Sequence, residues 1–349
     1  MQKEISKKYS NPLYWKNKTV LITGVNGFIG GNLSKKLISL GSKVIGIMRD
    51  DTKDKFLEYE KIKKKITNYK LDLKSYNSIK YITSKHDIDI CFHLAAQVDV
   101  NKAKLDPFTT FESNVRGTYN LLEILRNTKS IKSIIIASSD KAYGDYPKKD
   151  LPYQENYDLR PVYPYDVSKG VADMIAKSYS CDLFKLPVIT TRFSNIYGPG
   201  QLNFSALIPD CISANLGYKK FIPRGNGKNL RDFLYVDDVV ELYLCLAYNL
   251  DKNKNLRGEV FNAGTGSGYR VQDIIFKLCD LTGNQDLYES IRKKFKNKKL
   301  TGEIEHQFMT YDKLNKYFDW KPRHSIDDGL RHTLNWYKDF LKKHDYKDF

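Results

Sequence analysis

One short stretch, Thr23-Gly24-Val25-Asn26-Gly27-Phe28-Ile29-Gly30, constrains this chain more than any other. It follows a β-rich run, Thr19–Thr23, and opens an amphipathic stretch that runs to Gly41. Three glycines between a strand and a helix let the backbone turn tightly and approach a ligand closely. The helix N-terminus then offers its unpaired N–H groups and positive dipole end to a phosphate. In this position the motif predicts a dinucleotide pyrophosphate site built from Gly24, Asn26, Gly27, Phe28, Ile29 and Gly30.

The rest of the first half repeats the same unit. Strands are expected at Lys43–Met48, Tyr69–Asp72, Asp89–Leu94, Ser133–Ala137 and Val188–Arg192. Helical stretches lie between them: a Lys-rich one after Met48, Tyr76–Lys85, a long one over 107–128, and 163–184. Strands alternating with helices imply βαβ units and a parallel sheet. The expected fold class is therefore α/β, a Rossmann-type doubly wound parallel sheet over residues 1–192. Beyond Arg192, Gly/Pro/Asn-rich turns separate short elements, which suggests a smaller C-terminal α/β substrate domain (193–236 and 263–349). Residues 237–262 are apolar enough to pack back onto the first domain. The smaller domain is expected over the carboxyl ends of the strands, where open α/β sheets bind ligands.

The composition narrows the setting. No apolar run approaches the roughly 20 residues of a membrane span, and MQKEISKKYSNPLYW lacks the apolar core of a secretory signal. A cytoplasmic protein with no membrane partner is expected. Five cysteines, far apart and without CxxC spacing, point to buried thiols and not to a disulfide framework or a zinc site, so no metal is expected. The net charge of +17 has three readings: solvated lysine faces such as Lys61–Lys65 and Lys293–Lys299, steering of phosphorylated ligands, or a nucleic-acid partner. No aromatic residues interleave with these lysines in an RNA-binding pattern, so no nucleic acid is expected.

Three positions bear on the cofactor. A dinucleotide site that prefers NAD usually carries an acid at the end of the second strand. Here Met48 holds that place and Arg49 follows, so Arg49 is read either as a partner for a 2′-phosphate, giving NADP, or as an exposed side chain beside Asp50 and Asp51. Asp72, with Leu73, is expected to reach the adenine from the end of the third strand.

Two further motifs carry chemistry. In Tyr165-Asp166-Val167-Ser168-Lys169 the Tyr and Lys are four apart and share a helix face. An ammonium there is expected to lower the phenol pKa and produce a base near neutral pH. Ser138-Ser139-Asp140-Lys141-Ala142-Tyr143-Gly144 lies at the end of the fifth strand. Ser139 is placed to bond a substrate hydroxyl, and Asp140 and Lys141 add an acid and a base, with a charged surface loop as the alternative reading.

Taken in order, these motifs resemble the extended short-chain dehydrogenase/reductases, the sugar-nucleotide epimerase and dehydratase family. The resemblance runs from Tyr14 to Leu341. It includes Phe92–Gln97 with Ala95 and Ala96, Asn114-Val115-Arg116-Gly117-Thr118, Arg192–Gly200, Arg231–Asp238 and Phe261–Gly264. It implies NAD or NADP, tightly bound against Tyr165 and Lys169, an NDP-sugar substrate and a homodimer. Within the family, an acid and base after the Ser/Thr resemble the 4,6-dehydratases, and an Asp-Lys pair resembles the CDP-glucose enzymes. So do Asn11–Trp15, Trp320-Lys321-Pro322 and Trp336. The glycine turn, with Val25-Asn26 and Ile29, has the general family form and leaves the base open.

The implied reaction starts with Tyr165, helped by Lys169 and Ser139, taking the sugar 4-OH proton. Lys141 then removes the C5 proton and Asp140 protonates the leaving 6-hydroxyl. Asn114, Asn195, Arg224 and Arg231 resemble substrate-binding positions. The alternatives are a nucleotide-sugar 4-epimerase and, in another class, a nucleic-acid-binding protein that kept the fold and lost the chemistry.

Overall fold

The computed structural model describes residues 8–51, 55–223, 225–295 and 304–344. Seven strands form one parallel sheet: β1 (Thr19–Thr23), β2 (Lys43–Met48), β3 (Ile66–Lys70), β4 (Ile90–His93), β5 (Ser133–Ser139), β6 (Val188–Phe193) and β10 (Val260–Ala263). Their order is β10-β6-β5-β4-β1-β2-β3. The order reverses between β1 and β4, and at such a switch point the strand ends diverge and leave a crevice for a ligand. Five of these strands are almost wholly buried, as β-branched runs between two helical layers must be.

Alternation along β1 sends its side chains to two cores. Val20 and Ile22 join one with Leu33, Leu37, Leu242 and Leu246. Leu21 joins the other with Ile79, Ile82, Leu121 and Leu125. The helix Val236–Lys252 packs on β5, β6 and the helix Phe28–Ser39, and β10 pairs with β6. This late segment therefore belongs physically to the first sheet.

Two small sheets rise beyond the strand ends. One joins β7 (Asn195–Tyr197) to β9 (Phe233–Tyr235), and the other orders β11 (Tyr269–Arg270), β8 (Leu230–Arg231) and β12 (His306–Gln307). Their own core gathers Ile208, Ile212, Ile274, Leu278, Leu330 and Tyr337 from three helices.

Several expectations need correction. The third strand runs Ile66–Lys70 and not 69–72, because the lysines before it form only a single turn, Lys63–Lys65. Asp72 therefore lies past the strand end. The long helix over 107–128 is two helices, Pro107–Phe111 and Gly117–Arg126, joined by a π turn, Glu112–Arg116. Such a turn inserts an extra residue into the helical ladder and re-aims the side chains within it, commonly at functional sites. Four of the five cysteines are buried, but Cys181 is exposed at the end of the helix Pro164–Ser180. No helix among the described residues is long and apolar enough to cross a membrane.

Candidate active site

The glycine turn takes the shape its residues require. Gly24 has φ +72°, and a Cβ there would press on the Ala95 backbone at 3.0 Å. A Cβ on Gly30 would lie 2.2 Å from the Gly24 carbonyl oxygen. Gly27 caps the helix Phe28–Ser39 with no side-chain bond, so the first-turn N–H groups are left for a ligand. Thr23 steadies the opposite wall: its hydroxyl accepts from the Leu94 and Ala95 N–H groups, both at 3.1 Å. A cradle kept open only by missing Cβ atoms, at a helix N-terminus over the switch point, fits a dinucleotide pyrophosphate.

Around it, Asn26 donates to the Asp50 carbonyl at 2.6 Å and ties the turn to the end of β2. Arg49 is exposed beside it. Asp72 spends one carboxylate oxygen on the Lys74 N–H at 2.9 Å, while Leu73 is buried under Gly117. Ala95 and Ala96 follow β4 and are half-buried.

The reactive groups meet at the end of β5. Pro164 starts the helix Pro164–Ser180, so Tyr165 and Lys169 project from its first turns. Lys169 is buried and donates to the Ala137 carbonyl at 2.5 Å. Burial lowers its pKa to about 8. Tyr165 does not show the lowered phenol expected from its lysine neighbour. Burial, with the charges of Asp140 and Asp166, pushes the phenol up, and only its hydrogen bond to Ser139 opposes this. Burial is the largest of these causes, and the two carboxylates add to it.

Ser139 donates to Asp140 Oδ1 at 3.0 Å. Asp140 is 4% exposed, its Oδ2 has no partner among the described residues, and burial raises its pKa. Burial of this kind shifts a carboxyl toward its protonated form. Lys141 donates to Gln307 Oε1 at 3.0 Å. The turn bearing both, Asp140–Tyr143, is anchored from below: the Tyr143 hydroxyl accepts from Arg192 at 2.8 Å, and Arg192 pairs with Asp173 at 2.8 Å.

The expected substrate residues fare differently. Asn195, exposed on β7, and Arg231 line one cavity of about 180 Å³ with Asp210, Phe221, Asn229 and Phe233. Arg231 already gives its guanidinium to the carbonyls of Leu230, Ile304 and Glu305 at 2.7–3.0 Å. Asn114 is buried and bonded within the protein. It is 2% exposed, its carbonyl oxygen accepts from the Gln97 N–H at 2.7 Å, and its amide donates to Gln97 O and Ser168 Oγ. The π turn has pointed it inward as a strut between Gln97, in the segment after β4, and the helix carrying Tyr165. Arg224 lies outside the described residues.

Sequence reasoning missed three groups here. His93, buried between Thr23 and Thr118, is held neutral by burial and the Lys169 charge, with a pKa near 3. Asp232 is fully buried, bonded to Thr265 at 2.6 Å, and raised by burial to about 7. Asp166, between Tyr165 and Lys169, is 3% exposed. No spacing rule marks these residues, because their surroundings come from distant segments.

Comparison with known proteins adds to this geometry. The family model for GDP-mannose 4,6 dehydratase matches residues 21–333. The chain belongs to that family. A trifunctional UDP-glucose 4,6-dehydratase/UDP-4-keto-6-deoxy-D-glucose 3,5-epimerase/UDP-4-keto-L-rhamnose-reductase of Arabidopsis thaliana is 31% identical over 331 residues, covering 93% of this chain and 47% of that protein. The chain thus spans about half the length of the first curated relatives it matches. Among solved structures, the dTDP-glucose 4,6-dehydratase of Bacillus anthracis, in complex with NAD, has a TM-score of 0.78 at 26% identity, covering 95% of this chain and 98% of that one. UDP-glucose 4-epimerase of Thermotoga maritima, solved with UDP-glucose, also has a TM-score of 0.78 at 26% identity, covering 93% and 99%.

Proposed function

We propose that the protein is a nucleotide-sugar 4,6-dehydratase, that it converts an NDP-hexose to the 4-keto-6-deoxy product, and that CDP-glucose is its substrate. The observation that carries this reading is Asp140. It is a buried carboxyl, raised by burial, with one oxygen unpartnered among the described residues, and it stands beside Lys141 at the lip that also holds Tyr165. A 4-epimerase has no step that expels a hydroxyl, so it has no use for such an acid.

Gly24, Gly27, Gly30, Asn26 and the Ala95 backbone would hold a dinucleotide, with Tyr165 and Lys169 against its nicotinamide ribose. NAD is favoured by its presence in the Bacillus anthracis relative, while Arg49 keeps NADP as the competing choice. When bound, the nicotinamide supplies the hydride acceptor for C4 and the donor for C6. Tyr165 takes the 4-OH proton, and Ser139 holds that oxygen in line. Lys169, directed by the Ala137 carbonyl, offsets the phenolate charge that Tyr165 must carry before it takes that proton. The new ketone acidifies C5. Lys141 removes that proton, and Asp140 delivers its own to the leaving 6-hydroxyl. Asn195 and Arg231 face the diphosphate from the second lobe, where a planar guanidinium suits phosphate oxygens.

Leu105 and Phe108, on the two helices packed against the helix Pro164–Ser180, are exposed, as are Val162 just before that helix and Met174 on it. This supports a homodimer formed through that face. The decisive experiment incubates the protein with CDP-glucose, UDP-glucose, dTDP-glucose and GDP-mannose in D2O and reads the products by NMR. A 4-keto-6-deoxy sugar with deuterium at C5 is expected, fastest from CDP-glucose. A C4 epimer with hydrogen retained at C5 would sink the dehydratase reading, and faster turnover of another base would move the substrate assignment.

A further inference from the structure

The lysine assigned to take the C5 proton is held by a residue from the other lobe. Lys141 Nζ donates to Gln307 Oε1 at 3.0 Å, across 166 positions of sequence, and among the described residues this is its only side-chain hydrogen bond. Gln307 is 1% exposed on β12. Its backbone is fixed from two sides: it pairs opposite Arg231 of β8, and its carbonyl accepts from the Asp232 N–H at 3.1 Å. Arg231 in turn bonds the Ile304 and Glu305 carbonyls just before β12. The amide can face Lys141 only by its oxygen, since turning it over would set an NH2 against an ammonium. Held this way, its Nε2 is buried and has no partner among the described residues. An amide serving the fold alone would have both ends satisfied; here one end is given up so that the oxygen meets Lys141.

We propose that Gln307 is a positioning residue for C5 deprotonation: its carboxamide oxygen holds one Lys141 N–H and so aims the nitrogen lone pair, without the charge that would lock the lysine as an ammonium. The proposal rests on the dehydratase reading. The acting base is the neutral amine, with N–H bonds to spare for Gln307 and one lone pair for C5. A free four-carbon side chain would spread that lone pair over many directions, and one fixed N–H confines it. The lone pair takes the C5 proton, the C5–H electrons form C5=C6, and the C6–O bond breaks. The departing oxygen takes the Asp140 proton and leaves as water. The hydride removed from C4 then enters C6, and the Lys141 ammonium returns its proton to C5. Tyr165 has gained a proton from the 4-OH and Asp140 has lost one, so one proton exchanged through solvent closes the cycle.

A carboxylate at position 307 would grip the lysine harder, but in the wrong state. An opposite charge within about 4–6 Å favours the charged form, and the base would then carry a proton where it must accept one. The neutral amide gives direction without that bias. The other charged groups facing Lys141 are Asp140 from its own turn and Asp166 from the helix Pro164–Ser180, with Arg231 of β8 acting on Asp140. Among the described residues neither carboxylate pairs with the ammonium, so the aim of Nζ falls to Gln307.

The test compares wild type, Gln307→Glu, Gln307→Leu and Lys141→Met as holoenzymes with the nucleotide sugar that wild type turns over. Single-turnover C4 oxidation is followed by nicotinamide absorbance and C5 exchange by NMR in D2O, each against pH. Gln307→Glu keeps the shape and adds a charge. It should still oxidise C4, while its C5-exchange profile moves up by about 1 pH unit or more, slowing exchange at neutral pH and recovering at alkaline pH. Gln307→Leu should oxidise C4 but exchange C5 about 100-fold more slowly at every pH. Lys141→Met should lose C5 exchange throughout. The proposal is overturned if Gln307→Glu keeps the wild-type profile or if Gln307→Leu keeps the wild-type exchange rate. It is also overturned if either folded variant loses C4 oxidation together with exchange, the mark of a residue that serves only the fold. Should Gln307→Leu fail to fold, the profile of Gln307→Glu decides. These outcomes are read with wild type making the 4-keto-6-deoxy product; a wild type that yields only a C4 epimer overturns the dehydratase reading itself, and this proposal with it.

Discussion

Replacing Lys169 with Met should make the protein more stable while it destroys activity. Lys169 is 7% exposed, and its ammonium has the Ala137 carbonyl as its hydrogen-bond partner. Burial brings its pKa from 10.5 to about 8, with the Asp173 charge opposing. At about 1.4 kcal/mol for each pH unit, holding this ammonium in the fold at neutral pH costs roughly 3 kcal/mol. Methionine keeps the apolar stem and removes the charge, but strands a carbonyl acceptor, which gives back about 1 kcal/mol. The net gain is roughly 2 kcal/mol at pH 7.

The sign has a pH signature. Between about pH 8 and 10.5 the folded chain binds fewer protons than the unfolded chain at this group, so the wild type gains stability as pH rises through that window. Below about pH 8 the penalty is present in full. Urea unfolding after removal of bound dinucleotide, at pH 7 and pH 10, should show Lys169→Met ahead at pH 7 and its advantage shrinking toward pH 10. A variant no more stable at pH 7, or an advantage flat with pH, would refute the reasoning, because the ammonium would then be solvated or paired. C4 oxidation by the variant should fall by at least about 100-fold.

Three further outcomes are expected. Asp173→Asn leaves the buried Arg192 guanidinium without its 2.8 Å partner and should cost about 3–5 kcal/mol, read by urea unfolding. Replacing both residues, Arg192→Met with Asp173→Leu, should recover most of that loss. Gly30→Ala puts a Cβ 2.2 Å from the Gly24 carbonyl oxygen, so about 1–3 kcal/mol of stability should be lost. NAD affinity, measured by titration, should fall with it. Asp140→Asn removes the acid at the β5 end and should slow water loss by about 100-fold or more, while C4 oxidation, followed by nicotinamide absorbance, continues.

Much of the fold was legible because it depends on local pattern. Thr19–Thr23, the glycine turn and the helix behind it follow from β-branched alternation, missing Cβ atoms and a helix start, all within 20 or so residues. The Tyr165–Lys169 pair was legible for the same reason, since helical spacing places them on one face. The third strand was misplaced because lysines next to an apolar residue do not announce where a helix stops. The π turn at Glu112–Arg116 was invisible, since its extra residue is held by bonds to Gln97 in the segment after β4 and to the helix Pro164–Ser180, and its own composition carries no mark of it.

By itself, then, the sequence determined the alternation of strands and helices in the first half, the glycine turn and the candidate reactive side chains, because these follow from covalent geometry and periodicity. Only the tertiary structure decided their protonation. Burial raises the Tyr165 phenol where a lowered one was expected, and it raises the Asp140 and Asp166 carboxyls as well. Each of these depends on how much water and which charges from distant segments surround a group, and that is settled only when β5, the Asp140–Tyr143 turn and the helix Pro164–Ser180 close on one another.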